Sequence, residues 1–124
     1  MSDLISQNLS MTFNTPSGGE VHALKDITFN LKEGEIMAVL GPSGCGKTTL
    51  LNIVSGFLRP TGGTIKFGNN EINGPGVDRG MIFQQGALFE WLTVARNVDF
   101  GLRMKKTSEK NVHQKVEEWL DIVG

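Results

Sequence analysis

Val39 to Gly56 reads V-L-G-P-S-G-C-G-K-T-T-L-L-N-I-V-S-G, and the fold of the chain turns on how this stretch is read. Gly41 to Thr48 satisfies G-x-x-x-x-G-K-[ST], the pattern of a glycine-rich turn that joins a strand to a helix. On its N-terminal side Ile36-Met37-Ala38-Val39-Leu40 is continuously apolar, which predicts a strand buried on both faces of a sheet. On its other side Lys47 to Ser55 predicts a helix stopped by Gly56 and by the turn Arg59-Pro60-Thr61-Gly62-Gly63. Strand, glycine turn and helix in this order predict a phosphate cradle. The glycines let the backbone curl, so that the N–H groups of about Gly44 to Thr49 converge at the positive end of the helix macrodipole. Lys47 would reach the β- and γ-phosphates, the Thr48 hydroxyl would coordinate Mg²⁺, and Thr49 would hold the α-phosphate side. A glycine turn that merely caps a helix, with Lys47 solvated, would leave the agreement of pattern, strand and helix unexplained. Cys45 has two readings, a reactive thiol at a helix N-terminus and a small residue whose backbone N–H does the work; the second is the simpler.

Upstream of this motif the chain reads as β-structure. Ile27 to Leu31 alternates apolar and polar residues, Leu9 to Phe13 does so more loosely, and Thr15-Pro16-Ser17-Gly18-Gly19 lies between them as a turn, which predicts a small antiparallel sheet. Downstream, Thr64 to Phe67 and Met81 to Phe83 predict short strands, separated by a glycine- and proline-marked loop from Asn69 to Gly80. The last third turns helical. Ser108 is placed as an N-cap, Gly124 as a C-terminal cap, and Val112, Val116, Trp119, Leu120 and Val123 form one apolar stripe that predicts core packing. His22 and His113 read as surface residues without metal-ligand neighbours at suitable spacing.

At 124 residues the chain has room for one domain. With 39% hydrophobic residues, 20% charged residues and a net charge of -1, it resembles neither a disordered tail nor a basic nucleic-acid binder. Its 16 glycines are roughly twice the usual share of about 7%, so many positions are expected to need unusual backbone angles or close approach. The single cysteine has no intramolecular disulfide partner, in keeping with a reducing compartment. No apolar run approaches the roughly 18 residues of a membrane span, so a membrane role would come through a partner.

A phosphate loop alone allows transporters, GTPases, small-molecule kinases and helicases. No N-K-x-D stretch is present for guanine recognition, and forty residues of β-type sequence precede the loop, unlike kinases resembling adenylate kinase. Gly41 to Leu51 is similar to the Walker A motif of ABC transporter ATP-binding subunits, Met81-Ile82-Phe83-Gln84 is similar to their Q-loop, and Leu88 to Leu102 continues in the same style. The resemblance covers essentially the whole chain. It implies an α/β P-loop NTPase fold with an N-terminal antiparallel β-subdomain, an incomplete parallel sheet and the start of a helical subdomain. The expected organisation is one nucleotide-binding domain over 1–124: mainly antiparallel β over 1–35, the P-loop core to the Q-loop over 36–84, and the start of the helical subdomain over 85–124. The resemblance also implies ATP and Mg²⁺ as ligands. Gly41, Pro42, Ser43, Gly44, Cys45, Gly46, Lys47, Thr48 and Thr49 would hold the nucleotide, Lys47 and Gln84 would serve catalysis, and Thr48 and Gln84 would hold the metal. Gln84 has its own rationale: its amide oxygen can ligate Mg²⁺ or the attacking water, and its place at a strand end exposes it to a partner's motion. Its alternative is an ordinary polar residue at a strand end. Phe13 stands where the family's adenine-stacking aromatic falls, with a stacking face and no tyrosine hydroxyl; its alternative is a core aromatic of the first sheet.

Asn73 to Gly80 before the Q-loop and Glu90-Trp91-Leu92-Thr93-Val94 after it resemble importers of the nitrate, sulfonate and taurine type, although Glu90 stands where those relatives commonly carry proline. The partners so implied are membrane-spanning permease subunits touching the segment after Gln84, a second ATP-binding subunit, and indirectly a solute-binding protein. The implied location is the cytoplasmic face of the membrane. The implied activity is ATP hydrolysis coupled to solute uptake. Hydrolysis needs a positioned water and a polarising carboxylate, and no aspartate here follows four apolar residues as the family's Walker B would require; its signature and switch histidine are absent as well. Ser17-Gly18-Gly19 lies upstream of the phosphate loop and reads as a hairpin turn. The expectation is therefore an ATPase when the catalytic carboxylates are supplied, with a truncated, non-hydrolysing nucleotide-binding fragment as the alternative and a P-loop kinase as a third class. Apolar edges left unpaired are expected to make the isolated fragment marginal or aggregation-prone.

Overall fold

The alternating stretches close into a long hairpin. A computed structural model describes residues 2–104 and 108–124, which divide into two compact units, Met1–Met81 and Ile82–Gly124. In the first unit β1 (Leu4–Asn14) and β2 (Glu20–Leu31) pair antiparallel, with Phe13 opposite Val21 and Leu4 opposite Leu31. The turn between them is closed by Thr15, whose N–H donates to the Gly19 carbonyl at 2.8 Å. Two register breaks are held by side chains at non-glycine residues with positive φ: the Asn8 N–H donates to Thr28 Oγ1 at 2.9 Å and the Asp26 N–H to Ser10 Oγ at 3.0 Å. β3 (Gly62–Phe67) and the two-residue β4 (Asn70–Glu71) complete an antiparallel sheet ordered β2-β1-β3-β4. The sheet takes in Gly62 and Gly63, which the sequence places in a turn.

One helix covers this sheet. α1 (Lys47–Ser55) buries Leu50 and Ile53 among Leu9, Met11, Leu24, Ile65 and Ile72. Each such aliphatic side chain contributes about 1.5–3 kcal/mol by leaving water. α1 starts and ends where the sequence predicts, with Gly56 at φ +84° as its C-terminal cap. The expected strands at 36–40 and 81–83 do not form. Neither stretch carries a strand ladder, and Ile36, Leu40 and Ile82 are 98%, 90% and 99% exposed. An apolar run becomes a buried strand only when neighbours bond to its backbone and cover its faces, and among the described residues no strand lies alongside either segment.

The second unit is helical. α2 (Val94–Met104) is a helix for which the sequence reading offers no boundaries, and α3 (Glu109–Val123) follows it. The Thr93 hydroxyl accepts the Arg96 N–H at 3.3 Å, a side-chain cap at the start of α2. Asn97 ties the preceding segment to the helix: its Oδ1 accepts the Phe89 N–H at 2.8 Å, and its Nδ2 donates to the carbonyls of Phe89, Leu92 and Thr93. Phe89 packs on Phe100 at a centroid distance of 4.5 Å and on Trp91 at 5.4 Å. On α3 the apolar stripe is core only in part. Val112 and Val116 are buried, whereas Trp119 is 43% and Val123 79% exposed. Ser108 occupies the N-cap with its carbonyl accepting the Val112 N–H at 3.0 Å, but its side chain makes no capping bond. Gly124 caps the helix as expected, donating to the Leu120 carbonyl at 3.1 Å.

Candidate functional site

The glycine-rich turn sits where the first sheet meets α1. Gly46 is the N-cap of α1 at φ +97°, a left-handed conformation that a side chain resists. A Cβ there would also overlap the Ala23 carbonyl of β2 and approach Leu24 Cδ2 at 3.0 Å. This contact seats the loop on the strand. The helix start has no side-chain cap and no acidic residue in its first turn. Its leading N–H groups therefore keep their donor capacity and their positive dipole for an anion.

Lys47 is folded over the loop. Its Nζ donates to the carbonyls of Gly41 at 2.7 Å and Pro42 at 2.5 Å, and lies 3.6 Å from Cys45 Sγ. Among the described residues no carboxylate is paired with this ammonium; it faces two carbonyl dipoles and a thiol, which leaves its charge available to phosphate oxygens. Cys45 is exposed and fills the space that a Cβ on Gly41 would need, at 2.7 Å from its Sγ. Pro42, Ser43, Gly44 and Thr48 are exposed and Thr49 is half-buried. Behind the loop an apolar cleft of about 370 Å³ runs between β2, residues 37–40 and Leu50. Its lining is mostly apolar and includes Cys45, Gly46 and Lys47 of the loop.

Phe13, on β1, and the glycine-rich loop both lie against β2. Phe13 is 38% exposed and faces Val21 across the hairpin, while the Ala23 carbonyl two residues along meets Gly46. An exposed aromatic face on β1 and the helix start seated on β2 thus belong to one hairpin of one unit. Gln84 belongs to the second unit, in an exposed bend beside Gln85. Thr48 and Gln84 would offer a hydroxyl and an amide oxygen, hard donors of the kind Mg²⁺ accepts. Among the described residues no cluster of three His, Cys, Asp or Glu side chains could hold a metal. Sequence reasoning passed over Thr93 and Asn97, whose signal is a threonine three residues before an arginine at a helix start and an asparagine one turn in.

Comparisons with known proteins place this geometry. The pattern of the ABC transporter family matches residues 24–124. The taurine import ATP-binding protein TauB of Pelagibacter ubique (strain HTCC1062) is 73% identical over 124 residues, all of this chain and 47% of that protein. TauB of Jannaschia sp. (strain CCS1) is 55% identical over the same 124 residues, 46% of its length. The nitrate import ATP-binding protein NrtD of Synechocystis sp. (strain ATCC 27184 / PCC 6803 / Kazusa) is 44% identical over 106 residues, 86% of this chain and 40% of its own. The chain thus spans about half the length of the curated relatives it matches. Among solved structures, the dimeric bacterial ABC transporter cassette MJ0796 superposes with a TM-score of 0.82 at 31% identity, over 95% of this chain and 56% of that one. Its post-hydrolysis dimer bound to ADP and Pi gives a TM-score of 0.81 over the same shares. The expected fold class, a partial P-loop NTPase fold of the ABC ATPase kind, is borne out, and the chain belongs to the ABC transporter family.

Proposed function

We propose that this chain is the ATP-binding part of an ABC-type importer subunit, holding Mg-ATP at the loop Gly41 to Thr49 and serving to couple hydrolysis to solute uptake. The observation that carries the reading is the start of α1: uncapped, free of acidic residues, seated by Gly46 on β2 and crossed by the Lys47 ammonium. In this reading Gly41, Pro42, Ser43, Gly44, Cys45 and Gly46 wrap the phosphates, Lys47 neutralises their outer oxygens, and Thr49 steadies the inner one. Lys47 must leave the carbonyls of Gly41 and Pro42 to do so, exchanging dipoles for full negative charge, which favours the move. Phe13 offers its face to the adenine. Thr48 and Gln84 hold the metal, which would supply charge neutralisation at the transferred phosphoryl group. Gln84 orients water. The carboxylate that polarises this water is assigned to sequence outside these 124 residues.

The domain is read as one nucleotide-binding domain with β, P-loop and helical parts over 1–35, 36–84 and 85–124. The proposed partner surface is the segment after Gln84. Leu88 and Val94, 73% and 70% exposed, line a groove of about 420 Å³, Trp91 in the same segment is 79% exposed, and Asn97 bonds to the segment's backbone. Exposed apolar side chains on a braced segment suit a membrane-spanning permease subunit. A second ATP-binding subunit would cover the open side of the nucleotide, and a solute-binding protein would act further off. Among the described residues no helix is long and apolar enough to cross a membrane, so the proposed place is the cytoplasmic membrane face, reached through the permease. The names of the relatives make taurine, a zwitterionic sulfonate, the solute to try first and nitrate the second. Titration with Mg-ATP tests the reading: saturable binding lost in Lys47→Ala supports it, and equal binding by both chains refutes it.

A further inference from the structure

The loop Asn73 to Gly80 contains three glycines and a proline, a composition that does not by itself hold one shape. Yet Arg79 within it is largely buried, with 14% of its side chain exposed, an unusual state for arginine. Its guanidinium spans the loop: Nη1 donates to Asp78 Oδ2 at 2.6 Å and Nη2 to the Gly74 carbonyl at 2.8 Å. The Gly74 carbonyl also lies against Gly56, the C-terminal cap of α1, so closely that a Cβ on Gly56 would overlap it. Arg59, just past the helix, donates from Nε to the Asn73 carbonyl at 3.2 Å. The loop is thereby stapled to the end of the helix whose start carries Lys47 and Thr48. Burying this arginine is costly, because its Nε has no partner. An apolar residue of similar volume would fill the space without that cost. A charged fork retained there serves geometry more than stability.

We infer that Arg79 is a positioning residue: by gripping Gly74 against the end of α1 it sets where the chain leaves the first unit, five residues before Gln84. This inference rests on the reading of Gln84 as a ligand to metal or water. A loop free to shift by an ångström would degrade transition-state geometry while leaving the phosphate cradle intact. The test compares Arg79→Met, Arg79→Lys and Lys47→Ala in the ATP-binding subunit within its assembled transporter, reading ATP affinity and turnover separately. Arg79→Met is expected to bind ATP within about twofold of the wild type while turnover falls roughly 10- to 100-fold. Arg79→Lys keeps the charge but lacks the fork, and is expected to fall with it. Unchanged turnover, or affinity and turnover lost in parallel, overturns the inference. If Arg79→Met does not fold, Arg79→Lys decides by the same two readings. Lys47→Ala separates the two levels: if it binds ATP normally, the underlying functional reading fails whatever Arg79 does.

Discussion

Replacing Lys47 by alanine separates holding a nucleotide from holding the fold. The Lys47 ammonium bonds to two backbone carbonyls and touches the Cys45 thiol at the edge of the loop, so its removal is expected to lower intrinsic stability by about 1 kcal/mol or less. Its bonds to phosphate are charge-assisted and worth about 1.5–3 kcal/mol, which corresponds to roughly 10- to 150-fold in affinity. At a nucleotide concentration of about 100 times the wild-type Kd, ligand linkage stabilises the wild type by about 2.7 kcal/mol and the variant by only about 0.3–1.4 kcal/mol. For 124 residues the unfolding entropy is about 260 cal/mol/K, so the wild-type Tm should rise by about 10 °C and the variant's by roughly 1–5 °C. Thermal unfolding with and without Mg-ATP measures both. An equal rise in the two proteins would refute the assignment of Lys47 to the phosphates, and no rise in the wild type at millimolar Mg-ATP would remove the site itself.

Ile53, fully buried between α1 and the sheet, should lose about 2–5 kcal/mol in urea unfolding when cut to alanine. Gly56 and Gly18 share almost the same positive φ, but only Gly56 has a backbone carbonyl in the way of a Cβ. Gly18→Ala should therefore cost about 1 kcal/mol and Gly56→Ala at least 1 kcal/mol more; equal losses by denaturant titration would show that the loop 73–80 does not pack there. Asn97→Ala removes four bonds to the segment before α2 and should destabilise the second unit by about 1–3 kcal/mol. Hydrogen exchange at the Phe89 amide is expected to accelerate, and unchanged protection would count against the brace.

Elements defined by neighbours in sequence were legible and those defined by neighbours in space were not. α1 shows its own limits, because a glycine stop and a helical length need only local chemistry. The β1–β2 hairpin likewise follows from alternation and a turn. The stretch 36–40 has the composition of a buried strand and forms none, since composition records what a segment would bury and a ladder requires another backbone. Ser108 reads as a capping residue and stands at the cap, but whether its hydroxyl turns inward is a rotamer choice that sequence does not contain.

The sequence alone determined the residues of the proposed phosphate site, because a candidate cradle of backbone amides, one lysine and two threonines is contiguous from Gly41 to Thr49. Tertiary structure decided what surrounds it: that Gly46 rests on the Ala23 carbonyl, that Phe13 of β1 pairs with Val21, two residues along β2 from Ala23, and that a buried Arg79 clamps a glycine loop against the far end of the helix. Gly46 and Ala23 are 23 positions apart and Gly56 and Gly74 are 18 apart, and only packing, which excludes water and leaves each carbonyl few available neighbours, selects such contacts among the many that composition would allow.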